Sequence, residues 1–204
     1  MFMKGGIMQL TEIEAVPDAA LPLAEMRDHL RLASGFGDAG LQDALLCGYL
    51  RAAIACIEGR IGKALLMRSF RLQLPFWRDP GNQALPLAPV GSVSSVVVHD
   101  AMGNSVEVPS SRWRLRADTH RPRLEATVIT LPAVPHGGHA EVVFAAGFGA
   151  WATVPADLRQ AVLLLAAQHH EFRHAGAGSA SALPWAVASL IERWRIVRVL
   201  GGGA

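Results

Sequence analysis

The segment His170-Glu-Phe-Arg-His174 reads H-E-x-x-H on a helical stretch. That i, i+4 spacing puts two imidazoles on one helix face, where they could hold Zn²⁺ with Glu171 as general base. A zinc hydrolase of this type needs a third ligand. No histidine follows His174, and Glu192 is the downstream candidate. Arg173 places a charge inside the motif. The Gly/Ala/Ser run after it leaves Glu192 unfixed, and no substrate-binding edge strand is evident upstream. Zinc-dependent hydrolysis at 170–174 is therefore kept as the alternative function, and the expected catalytic residues, metal and cofactors are none. Ser94, His99 and Asp100 could be written as a triad, but so could residues of almost any chain. There is no G-x-S-x-G elbow, phosphate loop or G-x-G-x-x-G, and Gly147-Phe-Gly149 is too short for a dinucleotide fingerprint.

The arginines carry a different chemistry. Arg112, Arg114, Arg116, Arg121 and Arg123 crowd a short span with Asp118 among them. A solvated strand face is the plain reading; a surface facing DNA or an acidic partner is the sharper one. Aromatic residues do not interleave them as single-stranded bases would require. Contact with DNA would therefore be to phosphate and non-specific.

The elements that position these residues follow from periodicity. The 204 residues are 51% apolar and 18% charged, which suits one domain with a sizeable core. The formal net charge of +2 gives no global polycation. The longest apolar run, Ala161 to Ala167, is far short of the ~20 residues that span a bilayer. The N-terminus lacks the apolar core of a signal peptide, so a cytoplasmic chain with no membrane partner is expected. Cys47 and Cys56 fall on nearly opposite sides of one helix, about 13 Å apart along its axis. They are expected to be free.

Residues 1–20 read as an N-terminal arm. A short helix is predicted from Pro22 to Leu32 and a second from Ala39 to Ile61. The second carries two apolar stripes: Leu41, Leu45, Gly48, Ala52 and Cys56, then Leu46, Leu50, Ala53 and Ile57. Two stripes fit either a thick core or a subunit interface. Strands are expected at 69–76, 93–99, 105–108, 113–115, 123–131 and 141–146, with a hairpin turn at Asp100–Asn104. Glycines at 147 and 149 close the last strand. Pro155 opens a long helix to His174, with Leu158, Val162, Leu165, Ala166, His169 and Phe172 along one face. Residues 176–182 read as a linker and 183–204 as an amphipathic final segment. The expected fold class is α+β: a mainly helical base of three to four helices, a small antiparallel sheet (about 69–146) inserted between helices two and three, and a flexible C-terminal arm or helix.

Five blocks in order resemble the head–tail connector (adaptor) family of tailed phages and gene transfer agents. They are P-L-A-E-M-R-D-H-L-R-L (22–32), D-x-x-L-Q-D-A-L-L-x-x-Y-L-x-A-A-I-A-x-I-E (38–58), the proline–strand–hairpin block 85–103, the block 141–174, and L-P-W-A-V-x-S-L-I-E-R-W-R (183–195). The departures are Pro22 where a Ser/Thr cap is usual and the glycine-rich linker before the last helix. The resemblance implies that residues 21–175 are a connector domain and that the protein is structural, not an enzyme. It implies a ring, typically twelvefold in the particle, below the portal protein and above a tail or stopper protein. The lumen would pass non-specific double-stranded DNA. The place would be the bacterial cytoplasm during assembly, then the neck of a phage or gene transfer agent particle. On this reading 183–204 docks on the portal through Trp185, Leu190, Ile191, Trp194, Arg195 and Arg198; the alternative is that this helix folds back onto its own domain. Arg112, Arg114, Arg116, Arg121 and Arg123 face the DNA channel or an acidic partner. A small DNA-binding module is the third reading.

Overall fold

The computed structural model describes residues 8–32, 39–172 and 183–195. They form two compact units, residues up to 15 with 66–148, and residues 16–65 with 149 onward. Both helices and antiparallel sheets are present, so the class is α+β.

The first unit holds two antiparallel sheets. In the larger, β1 (Gln9–Glu12), β2 (Arg68–Leu74), β4 (Val90–His99), β5 (Ser105–Glu107) and β8 (His139–Ala146) lie in the order β1-β2-β8-β4-β5. Alternation decides which face is buried. Phe70, Leu72 and Leu74 of β2, Val96 and Val98 of β4, and Ala140, Val142, Phe144 and Ala146 of β8 all turn inward. Phe70 and Phe144 stack there with ring centres 5.9 Å apart. The opposite face presents Arg71, Gln73, Val97, His99, His139 and Glu141, half-buried or exposed. The smaller sheet has the order β3-β7-β6, from β3 (Asn82–Ala84), β7 (Arg123–Ala126) and β6 (Trp113–Arg116).

Where β8 ends, the backbone needs glycine. Gly147 has φ +133°, and a Cβ there would lie 2.5 Å from the Leu66 carbonyl oxygen. Its N–H donates to the Pro89 carbonyl at 2.9 Å.

The second unit contains α1 (Leu23–His29), α2 (Ala39–Ile61), α3 (Ala156–Glu171) and α4 (Trp185–Ile191). Pro155 caps α3. Leu158, Ala161, Val162 and Ala166 of α3, Leu46, Leu50, Ala53 and Ile57 of α2, and Met26 of α1 are fully buried. Arg27 pairs with Asp43 to tie α1 to α2. Arg51 donates to the Val16 carbonyl at 2.7 Å and to Asp18 at 2.6 Å, which fixes the entry to this unit.

Several expectations change. Residues 9–12, read as part of an arm, form an edge strand paired to β2, Gln9 opposite Gln73 through Glu12 opposite Phe70. A strand therefore precedes the first helix, and the β region is two sheets rather than one. The first helix stops at His29, with Arg31 at positive φ. The span between the strands expected at 69–76 and 93–99 contains β3 and the start of β4. The linker at 176–182 lies outside the described residues. Helix α4 packs on α3 with Val187 fully buried and Ile191 2% exposed. Helix α4 is thus anchored to its own unit: its two aliphatic side chains gain more by burial there than by facing water.

Candidate functional site

The arginine cluster is partly assembled by the register of β6 and β7. Arg114 lies opposite Glu125, and Arg116 opposite Arg123. With side chains alternating along each strand, Arg114, Arg116, Arg123 and Glu125 share one face, while Leu115 and Leu124 turn to the other. Glu125 takes two bonds from Arg114, at 2.9 and 3.1 Å, and one from Arg116 at 3.2 Å. These bonds, Arg114's first, hold the Glu125 carboxyl below its usual range. The sequence shows only Asp118 among these arginines; Glu125 escapes it because strand pairing, not sequence proximity, brings that residue in. Three cations against one carboxylate, two of them bonded to it, leave this face net positive. Arg112 ends a 3-10 turn next to β6, and Arg121 follows Asp118, whose carboxylate accepts the Arg121 N–H at 2.7 Å. All five arginines are exposed.

The C-terminal set divides. Trp185, at the first turn of α4, is 84% exposed, and Arg195 is exposed. Leu190 is half-buried. Ile191 points into its own unit. Trp194 is pinned: its indole N–H donates to Asp157 at 2.7 Å, and Arg193 pairs with the same oxygen at 2.7 Å while lying over the Trp194 ring. Asp157 stands in the first turn of α3. Its place at the helix dipole is legible in the sequence; it also tethers the chain's last described turn. A groove of about 510 Å³ runs between the end of α2 and α4, lined by Arg60, Leu183, Ala188, Ile191, Glu192 and Arg195. Arg198 lies outside the described residues.

Helix α2 shows its two stripes separately. Leu46, Leu50, Ala53 and Ile57 are fully buried. On the other side Leu45 is 46% exposed, and Gly48, Ala52, Ala55 and Gly59 are half-buried or exposed. Nothing lies within 4 Å of where a Cβ on Gly48 or Gly59 would stand. Cys47 and Cys56 are free thiols, and burial pushes the Cys47 thiol up.

Among the described residues, no group of three ligating side chains includes His170 or Glu171. Helix α3 ends at Glu171, His170 stands edge-on to Tyr49 with centres 6.0 Å apart, and Glu192 accepts from Arg195 at 3.0 Å. Arg173 and His174 lie outside the described residues. Among the described residues, the group of side chains close enough to share a metal ion is His99, His139 and Glu141 instead. In the sequence His99 stands out only as part of a paper triad with Ser94 and Asp100. Asp100 is used otherwise: it accepts from the N–H groups of Met102 and Asn104 at 2.8 and 2.9 Å and from the Asn104 amide at 2.7 Å. The Asn104 side chain chiefly holds its carboxyl low.

Three solved structures match almost the whole chain. One is the neck of an empty gene transfer agent particle computed with C6 symmetry, at 55% identity and a TM-score of 0.86, covering 95% of this chain and 98% of that one. This chain belongs to the gene transfer agent neck proteins. The virion of a native gene transfer agent particle matches at 55% identity and a TM-score of 0.83, with the same coverage. The neck of a native particle computed with C12 symmetry matches at 52% identity and 0.82, again with that coverage. The matched proteins are structural parts of a particle, so this neck protein has a structural connector role and is not an enzyme. No family model matches the chain, and no curated protein does. No described helix is long and apolar enough to cross a membrane.

Proposed function

We propose that this neck protein is a ring subunit, twelve to a particle, that joins the portal above to a tail or stopper protein below and lets double-stranded DNA pass through the lumen. The observation that carries this reading is the match over 95% of the chain to particle necks with sixfold and twelvefold symmetry. The outward face of α2 supports ring formation. Leu45, Gly48, Ala52 and Gly59 offer small and apolar surface on which a second copy could approach closely, while the buried stripe already supplies the monomer's core.

The arginine face of β6 and β7 is the surface proposed for DNA phosphate or an acidic neighbour, with Arg112 and Arg121 at its margins. Portal docking is assigned to the C-terminal segment, through exposed Trp185 and Arg195 with half-buried Leu190 and Trp194 beside them, and to Arg198 beyond it. Trp and Arg are the residue types that most often dominate binding energy. Ile191 supports this surface from beneath. Assembly in the bacterial cytoplasm before incorporation into the neck belongs to the same proposal.

Electron microscopy of the purified protein alone and mixed with portal rings tests it. Closed rings seated on the portal are expected. A protein that stays monomeric at all concentrations, with and without portal, would refute the ring reading.

A further inference from the structure

We propose that His99, His139 and Glu141 form a binding site for one divalent transition-metal ion of the zinc class, which clamps β4 to β8. His99 lies directly opposite His139 across the two strands. Their rings are stacked, with centres 4.4 Å apart and planes 10° apart. Glu141 is two residues along β8 and so on the same face. One ligand atom from each of the three lies within 4.8 Å of the others. Metal–ligand bonds of about 2.0–2.2 Å in a tetrahedral site place ligand atoms roughly 3.3–3.5 Å apart. Closing the remaining gap needs rotation of the imidazoles about χ2, a torsion with a broad well.

Two further features favour a ligand. The His99 Nε2 is buried and has no hydrogen-bond partner, in a protein interior where buried polar atoms are nearly always paired. Glu141 is oriented: its Oε2 accepts from Gln73 Nε2 at 3.1 Å and pairs with Arg71 Nε at 3.4 Å. Outer contacts of this kind hold metal-binding carboxylates in place. The donor set selects the metal. Two imidazoles with one carboxylate suit zinc, nickel or cobalt, and provide too few oxygens for calcium. Three protein ligands leave a position for water. The Arg71 guanidinium opposes a cation, but its side chain is 47% exposed and can turn into solvent.

The role is structural. His139 begins β8 and His99 ends β4, beside the Asp100–Asn104 hairpin, so a bound ion would fix the register of the two central strands at that end. This inference does not depend on the ring reading.

The test is dialysis of the full-length, chelator-stripped protein against micromolar zinc, with metal analysis and thermal denaturation. About one zinc per chain and a raised melting midpoint are expected. His99→Asn and His139→Asn should each lose the zinc and the midpoint shift while keeping the parent's zinc-free midpoint. Glu141→Gln should bind at least about tenfold more weakly, and Arg71→Gln at least as tightly as the parent. A His170→Ala/His174→Ala variant should still bind. Absence of zinc binding by the parent, undiminished binding by His139→Asn, or loss of binding in the His170/His174 variant would each overturn the proposal.

Discussion

Ile191 and Trp185 lie six residues apart, on α4's last and first residues, and the structure gives them opposite tasks. Ile191 is 2% exposed and packs with fully buried Val187 toward α3. Removing a buried isoleucine to alanine costs about 2–5 kcal/mol, the transfer term plus the cavity left behind. For a chain of this size each kcal/mol moves the melting midpoint by about 2–4 °C. Ile191→Ala should therefore lower it by at least about 4 °C. Trp185 is 84% exposed, and Trp185→Ala should change stability by less than about 0.5 kcal/mol. Thermal and urea denaturation followed by far-UV circular dichroism give the two numbers, and co-sedimentation with portal rings gives the second readout. Trp185→Ala should lose co-sedimentation at unchanged midpoint. If Ile191→Ala is as silent as a surface change, α4 does not pack on α3 in solution. If Trp185→Ala destabilises as Ile191→Ala does, Trp185 belongs to the core and cannot be a free docking anchor.

Arg114→Gln/Arg116→Gln should release the Glu125 carboxyl toward its ordinary pKa. Because that pKa is depressed in the folded state, the pair's contribution is present above the ordinary value of 4.5 and lost as pH falls through the folded one. An NMR titration of Glu125 with an unchanged midpoint in this variant would contradict it. The same variant should flatten the salt dependence of DNA binding, by up to about 0.9 in log–log slope for each phosphate it no longer neutralises. Gly147→Ala, with its Cβ 2.5 Å from the Leu66 carbonyl oxygen and φ at +133°, should cost at least about 2 kcal/mol by denaturant melts. Gly48→Ala, with open space around it, should be neutral or stabilise the monomer by up to about 1 kcal/mol. Ala52→Arg should leave the monomer's midpoint within about 0.5 kcal/mol yet abolish rings in electron micrographs; intact rings would remove this face of α2 from the interface.

Local signals carried most of the helices and the hairpin. The bounds of α2, 39–61, follow from its apolar stripes, and the Asp100–Asn104 turn from the carboxylate that organises its own loop. What the sequence hid was pairing between distant segments. Strand β1 is exposed at every position, so no alternation marks it; it exists because β2 offers an unpaired edge. The division into two sheets depends on which strands find each other. His99 and His139 are forty residues apart in sequence and meet only through the β4–β8 register. Glu125 escaped notice beside the arginines for the same reason. An amphipathic helix after a glycine-rich stretch reads alike whether it docks elsewhere or folds back. Its partner, Asp157, stands in the first turn of α3, where the helix dipole alone accounts for a carboxylate.

The two faces of α2 show why the ring reading and the fold do not compete for the same residues. A helix apolar most of the way round is ordinarily buried on all sides. Here the large side chains Leu46, Leu50 and Ile57 point into the unit, while small residues, Gly48, Ala52, Ala55 and Gly59, make up much of the rest of the helix surface. Small residues add little to a monomer's core, because each has little area to remove from water. Their use is geometric: they let a second backbone come close. An exposed helix face under no such demand would gain helix propensity by carrying alanine or a long polar residue in place of each glycine. Glycine at two of these positions costs about 1 kcal/mol each relative to alanine. The monomer gains nothing visible in return, since open space surrounds both positions. A neighbouring subunit in the ring is the partner that would turn that cost into contact.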